Sequence, residues 1–148
     1  MAEDAEHGDL SDVRYFSWEE ADRMLPLVRR IVADIGEQWR ELEPLMARWQ
    51  ALPAALRVGA SAGEMKAGLD ARTAAVDELV GELQELGCYF KGFQEGLVDW
   101  YSLYAGRAVF LCWKAGEEEI AWWHQIDAGF SGRQPIPASQ RGAFRGAE

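Results

Sequence analysis

Histidine is almost missing from this chain: there are two in 148 residues, and only His124 lies outside the first ten. Cysteine also occurs twice, as Cys88 and Cys112, with neither a CxxC spacing nor the CxxCH of an attached haem. Without such spacing the two read most simply as buried thiols of a protein in a reducing compartment. No stretch reaches the roughly 18 to 20 consecutive apolar residues that a membrane span needs. The start, "MAEDAEHGDLSD", lacks the apolar segment of a secretory signal, so the cytoplasm is the expected compartment. Basic residues are scarce too. Fifteen Lys and Arg stand against twenty-five Asp and Glu, a net charge of −10, with no dense basic run. Nucleic-acid backbones and anionic membranes should repel such a surface, so neither is expected as a partner. There is no HExxH, Walker or GxGxxG pattern, which removes the common signatures of metalloprotease and nucleotide-binding sites.

Apolar residues are plentiful, at 49%, and they are regularly spaced. A chain of this length supports one core and one domain. Ser17 and Glu20 form the pattern of a helix capping box. A seam follows in alternating steps of four and three: Ala21, Leu25, Val28, Val32, Ile35, Trp39, Leu42, Met46 and Trp49. That spacing predicts a helix packed along its length. Pro26 and Pro44 lie off the seam, so a kinked long helix, or a short helix feeding a longer one, is expected. "LPAALRVGASAG" breaks the period. A second seam then runs through Met65, Leu69, Arg72, Val76, Leu79, Leu83 and Leu86 to Gly87, a natural left-handed cap. Arg72 is the one polar defect; it suits either an acidic partner across the hairpin or, as the preferred reading, a device that sets dimer register.

Beyond Gly87 the periodicity shifts to short aromatic and β-branched runs, "CYFK", "GLVDW", "RAVFLCWK" and "EIAWWHQI". The fold class predicted is α+β: an antiparallel hairpin of two long helices, then a small three- to four-stranded antiparallel meander. Residues 107–114 place Val109, Leu111 and Trp113 on one face and Phe110 and Cys112 on the other, so both faces of that strand should be covered. Ile120, Trp122 and His124 should share a face of the last strand. Residues 1–13 read as an acidic disordered tail, 14–137 as the domain, and 138–148 as a flexible tail.

The residues resemble those of a prokaryotic family catalogued as domain of unknown function 2203. The resemblance rests on "FSWEEADRMLPLVR", "ELGCYFK", "GLVDW" and "GRAVFLCWKAGEEEIAWWHQIDAGFSGRQP", spans about residues 16–135, and implies a small prokaryotic protein without implying an activity.

Two functional readings follow. One is a non-enzymatic binding or assembly module. Residues 17–50 as one helix span about 50 Å at 1.5 Å per residue, longer than a small sheet can cover. Two chains pairing their hairpins, or another protein, would supply the cover. The other reading is a ligand or metal site, catalytic or purely binding, at the end of the last strand. His124 would be base or ligand, Asp127 an orienting carboxylate, Arg133 an anion clamp, and Asp99 an accessory group. A transition metal could take His124, Asp127 and Cys112, with Asp99 or Glu119 in reserve. Seven tryptophans also allow aromatic walls around a haem on His124, although no cofactor is predicted outright. The structural alternative has His124 bonded to Asp127 or a backbone carbonyl, Asp127 paired with Arg133, and Phe130 plugging the core.

Overall fold

A computed structural model describes residues 13–147; the expected acidic tail lies, apart from Val13, outside the described residues. Helix α1 spans Trp18–Ala51 without interruption. Ser17 caps it: the Glu20 amide donates to Ser17 Oγ at 3.1 Å, and the Ser17 amide donates to Glu20 Oε1 at 2.9 Å. Pro26 and Pro44 both lie inside this helix, so it is not divided in two. Each proline is exposed, on the side where water can satisfy the carbonyl left unpaired. A short 3-10 turn at Ala54–Leu56 leads to α2, Ala60–Leu86. Arg72 bonds Glu41 of α1 across the hairpin, so its charge is met within the chain and no dimer register is needed to explain it. Gly87 ends α2 at φ 98°, and its amide donates to the Leu83 and Gln84 carbonyls. A Cβ there would come within 2.8 Å of the Phe16 ring. Glycine is therefore required twice over, by conformation and by space.

The strands are β1 Tyr89–Gly92, β2 Leu97–Tyr104, β3 Arg107–Lys114, β4 Trp122–Gln125, β5 Gln134–Pro135 and β6 Phe144–Arg145. Their order is β1-β2-β3-β4-β5, all antiparallel, with β6 also paired to β2. The α+β class holds, and the sheet has six strands because two-residue pieces extend the four-stranded meander. Strand β2 continues to Tyr104, where Ala105 and Gly106, at φ 52° and 78°, turn the chain into β3. Two positive φ values in a two-residue loop suit the right-handed twist of the hairpin.

The sheet has two buried faces. Val98, Trp100, Val109, Leu111, Trp113 and Trp123 join one core with Leu25, Val28, Val32 and Ile35 of α1. Ile120, which precedes β4, enters this core too, and Trp18 Nε1 donates to its carbonyl at 2.7 Å. The opposite face carries Asp99, Tyr101, Phe110, Cys112, Trp122 and His124. Beyond Ile35 a smaller cluster around Leu42, Leu69 and Val76 holds the hairpin together. No helix among the described residues is long and apolar enough to cross a membrane.

Residues 138–147 depart from the expected loose tail. Ala138–Ala143 form 3-10 turns, β6 pairs with Leu103 and Tyr104, and Phe144 is buried. One aromatic side chain anchors a segment whose remaining composition suggested a loop. Glu148 lies outside the described residues.

Candidate functional site

The register of three strands builds the site. Asp99 on β2 stands opposite Cys112 on β3, and Phe110, two residues earlier on β3, stands opposite His124 on β4. Residues two apart on a strand share a face, so Asp99, Cys112 and His124 converge on the face away from the helices. Their relative exposures are 4%, 0% and 3%. One ligand-capable atom from each lies within 4.8 Å of the other two.

The imidazole is fixed at both ends. Nδ1 is 2.7 Å from the Gln125 carbonyl oxygen, which only accepts, so Nδ1 carries a proton. Nε2 is 3.1 Å from Asp99 Oδ2. Asp99 Oδ1 is buried and has no hydrogen-bond partner among the described residues. Burial alone would lower the His124 pKa; the Asp99 hydrogen bond and charge, with the Gln125 carbonyl, outweigh it and raise the value, while Lys91 opposes them. Burial, and then the Asp99 charge, push the Cys112 thiol far up, with Arg133 pulling the other way. An uncoordinated Cys112 is therefore a neutral thiol and no nucleophile. Cys88 is a buried structural thiol whose pKa burial pushes to about 12.

Residues 126–130 wall a cavity of about 460 Å³ whose floor is Asp99, Cys112 and His124. Residues 14–136 match the family described as "Uncharacterized conserved protein (DUF2203)". The chain belongs to that family. No curated protein and no solved structure matches it.

Within this DUF2203 chain the residues singled out from sequence divide into two groups. His124, Asp99 and Cys112 come together. Asp127 lines the cavity but is exposed, and neither ring nitrogen of His124 bonds it. A local i, i+3 partnership gives way to a partner 25 residues away, because β4 still runs extended through His124. Arg133 does not pair with Asp127. Its Nη2 donates to Glu117 Oε1 at 2.7 Å, and its guanidinium lies 4.9 Å from the Trp122 ring centre and 5.1 Å from that of Phe130. It thus ties the 126–133 loop to the turn before β4. Glu117 itself is half-buried and also accepts from the Lys114 amide at 2.8 Å. Phe130 remains 42% exposed and plugs nothing. Glu119 bonds Arg141 at 2.6 Å and takes no part in the site.

The tryptophans do not wall a haem on His124: Trp100, Trp113 and Trp123 lie on the opposite face of the sheet. Sequence reasoning missed Lys91 and Phe110, which line the cavity from β1 and β3. Alternation did put Phe110 on the face of Cys112; nothing in the sequence gave the register that brings Lys91 there.

Proposed function

We propose that this protein binds a transition-metal ion through Asp99, Cys112 and His124. One observation carries the reading. With its proton held on Nδ1, a neutral His124 presents a lone pair on Nε2 to the carboxylate of Asp99, another acceptor, at 3.1 Å. Two acceptors at that separation require a cation between or beside them, either a proton or a metal. The backbone carbonyl on Nδ1 is the kind of acceptor that metal-binding imidazoles use to fix their tautomer. Cys112 Sγ and the unpartnered Asp99 Oδ1 add further ligand atoms. Ligand bonds of about 2.0 to 2.3 Å to zinc suit ligands at these separations after small side-chain adjustments.

Charge favours the same reading. A divalent ion with an Asp carboxylate, a Cys thiolate and a neutral His makes a neutral group, which lowers the cost of burial. Metal binding expels the thiol proton despite the raised pKa. Nitrogen and sulfur donors select zinc, cobalt or copper over magnesium and calcium. Metal-stripped protein should take up one equivalent of Zn²⁺ or Co²⁺, and cobalt should show a sulfur-to-metal charge-transfer band. At a free Zn²⁺ concentration of 100 Kd the folded state gains about 2.7 kcal/mol. His124→Gln should abolish the band and the gain; a variant that still binds one equivalent removes the site from consideration.

A second reading concerns assembly. The seam residues Val28, Val32 and Ile35 are buried, whereas Trp39, Met46 and Trp49 farther along α1 are only half-buried. They line an apolar groove of about 330 Å³ with Leu42, Leu69 and Val76. Pairing of two hairpins over this groove would complete their cover. Light scattering at tens of micromolar should return a dimer mass, and Trp49→Glu a monomer; a monomeric wild type ends this reading.

A further inference from the structure

We infer that the metal site is open on one side, and that its free coordination position receives the ring nitrogen of a neutral heteroaromatic base lying in the cavity. This rests on the metal reading above. Structural zinc sites close with four protein ligands, whereas sites that exchange ligands keep three and leave the fourth position to water or substrate. Among the described residues the cluster supplies three ligand residues, and these form the floor of a cavity whose wall includes the exposed Asp127 and Phe130. Asp127 stands outside the group of mutually close ligand atoms, so it does not close the fourth position.

Charge and shape narrow the occupant. A divalent ion with Asp99, a Cys112 thiolate and a neutral His124 sums to zero, so the open position has no surplus charge with which to hold an anion. The rest of the wall carries one cation and one anion, Lys91 and Asp127, and both are exposed. Lys91 already lies against the Tyr89 and Phe110 rings, 5.7 and 5.3 Å from their centres. The cavity as a whole therefore selects no charged partner. Its remaining side chains are mainly apolar: Leu97, Phe110, Ile126 and Phe130. A carboxylate or a thiolate would leave the buried metal group with a net negative charge, which burial penalises. A ring nitrogen adds none, suits an ion already held by sulfur and imidazole, and carries a flat apolar body to the aromatic wall. At about 460 Å³ the cavity falls within the roughly 300 to 1,000 Å³ of ordinary small-molecule pockets.

Cobalt-substituted wild-type protein at about pH 8, where imidazole is neutral, tests this with imidazole, benzimidazole and benzoate as the probes. Both bases should shift the visible cobalt bands saturably while the thiolate band persists. Benzimidazole should act at an about tenfold lower concentration, because its second ring meets the apolar wall. Benzoate, similar in size but charged, should need more than either. In cobalt-saturated Ile126→Ser, and separately in Phe130→Ala, the benzimidazole dissociation constant should rise about fivefold while that of imidazole stays near the wild-type value. Phe130 is 42% exposed, so its truncation spares the core. Cobalt that binds with its thiolate band but whose visible spectrum ignores both bases marks a closed structural site; that overturns this inference and leaves the metal reading intact. A protein that takes up no cobalt at all overturns both. Benzoate binding more tightly than benzimidazole overturns the choice of a neutral base, and equal benzimidazole affinity in wild type and both variants overturns its placement in the cavity.

Discussion

Phe144→Ala is expected to lower stability by about 3 to 5 kcal/mol, a large part of the roughly 5 to 15 kcal/mol that holds a domain of this size. The side chain is 2% exposed, stacks on Tyr104 with ring centres 4.7 Å apart, and meets Trp123 at 5.8 Å. Its removal leaves a cavity bounded by two aromatic rings that are themselves fixed by the sheet, so little can collapse into the space. The loss also spreads. β6 presents the Arg145 carbonyl to Ser102 Oγ at 3.4 Å, and Arg141 places its guanidinium 4.3 Å from the Trp18 ring centre. Gly146 lies so close to the α1 cap that a Cβ would sit 2.7 Å from Glu20 Oε1. The C-terminal segment thereby braces the start of the helix that covers the sheet. Urea unfolding should show the lower midpoint with an unchanged slope, and thermal melting a drop of about 10 °C. A loss below about 1 kcal/mol means that Phe144 is not packed in solution, and the description of β6 fails with it.

That segment also shows where the sequence stops being readable. The long helices announce themselves locally: the Ser17–Glu20 box, the seam of fours and threes, and Gly87 at the end each act within a few residues, and each is present as expected. A two-residue strand such as β6 has no period to detect. Only Phe144 marked it, in a stretch otherwise rich in glycine and polar residues. The site lies between these cases. His124 could be chosen from sequence because it stands alone in the folded region, and Asp99 and Cys112 because alternation offered them as neighbours. Their convergence depends on strand register, which the two-residue turn at Ala105–Gly106 sets, and a slip of one residue would carry Asp99 to the helix-covered face. Nearness along the chain favoured Asp127 over Asp99 as the partner of His124, and Asp127 over Glu117 as that of Arg133. In both pairs the partner in the structure is reached across the sheet or its turns.

Asp99→Asn should have the other large effect, and its pH dependence is set by what sits beside His124. In metal-free protein the raised His124 pKa belongs to a buried imidazolium facing the Asp99 carboxylate. A group whose pKa is higher folded than unfolded stabilises fully below the unfolded value, about 6.5 for histidine. That contribution is lost as pH rises through the folded value, so metal-free protein should weaken on the alkaline side. Zinc reverses the trend, because the ion must displace the proton on Nε2 and the proton of Cys112, and binding therefore strengthens with pH. The stabilities with and without Zn²⁺ should diverge steadily between about pH 6 and 9. Asparagine in place of Asp99 strips the imidazolium of its counter-charge, at a cost of about 3 to 5 kcal/mol below neutrality for breaking a buried pair. It also removes a charged ligand, so zinc affinity should fall by more than the roughly 10- to 100-fold lost with a group that only hydrogen-bonds a ligand. Melting curves of both proteins, with and without Zn²⁺ at several pH values, separate the two roles. If the widening gap persists unchanged in Asp99→Asn, the proton and the metal do not compete at this carboxylate, and His124 is held by Asp99 only as a structural ion pair.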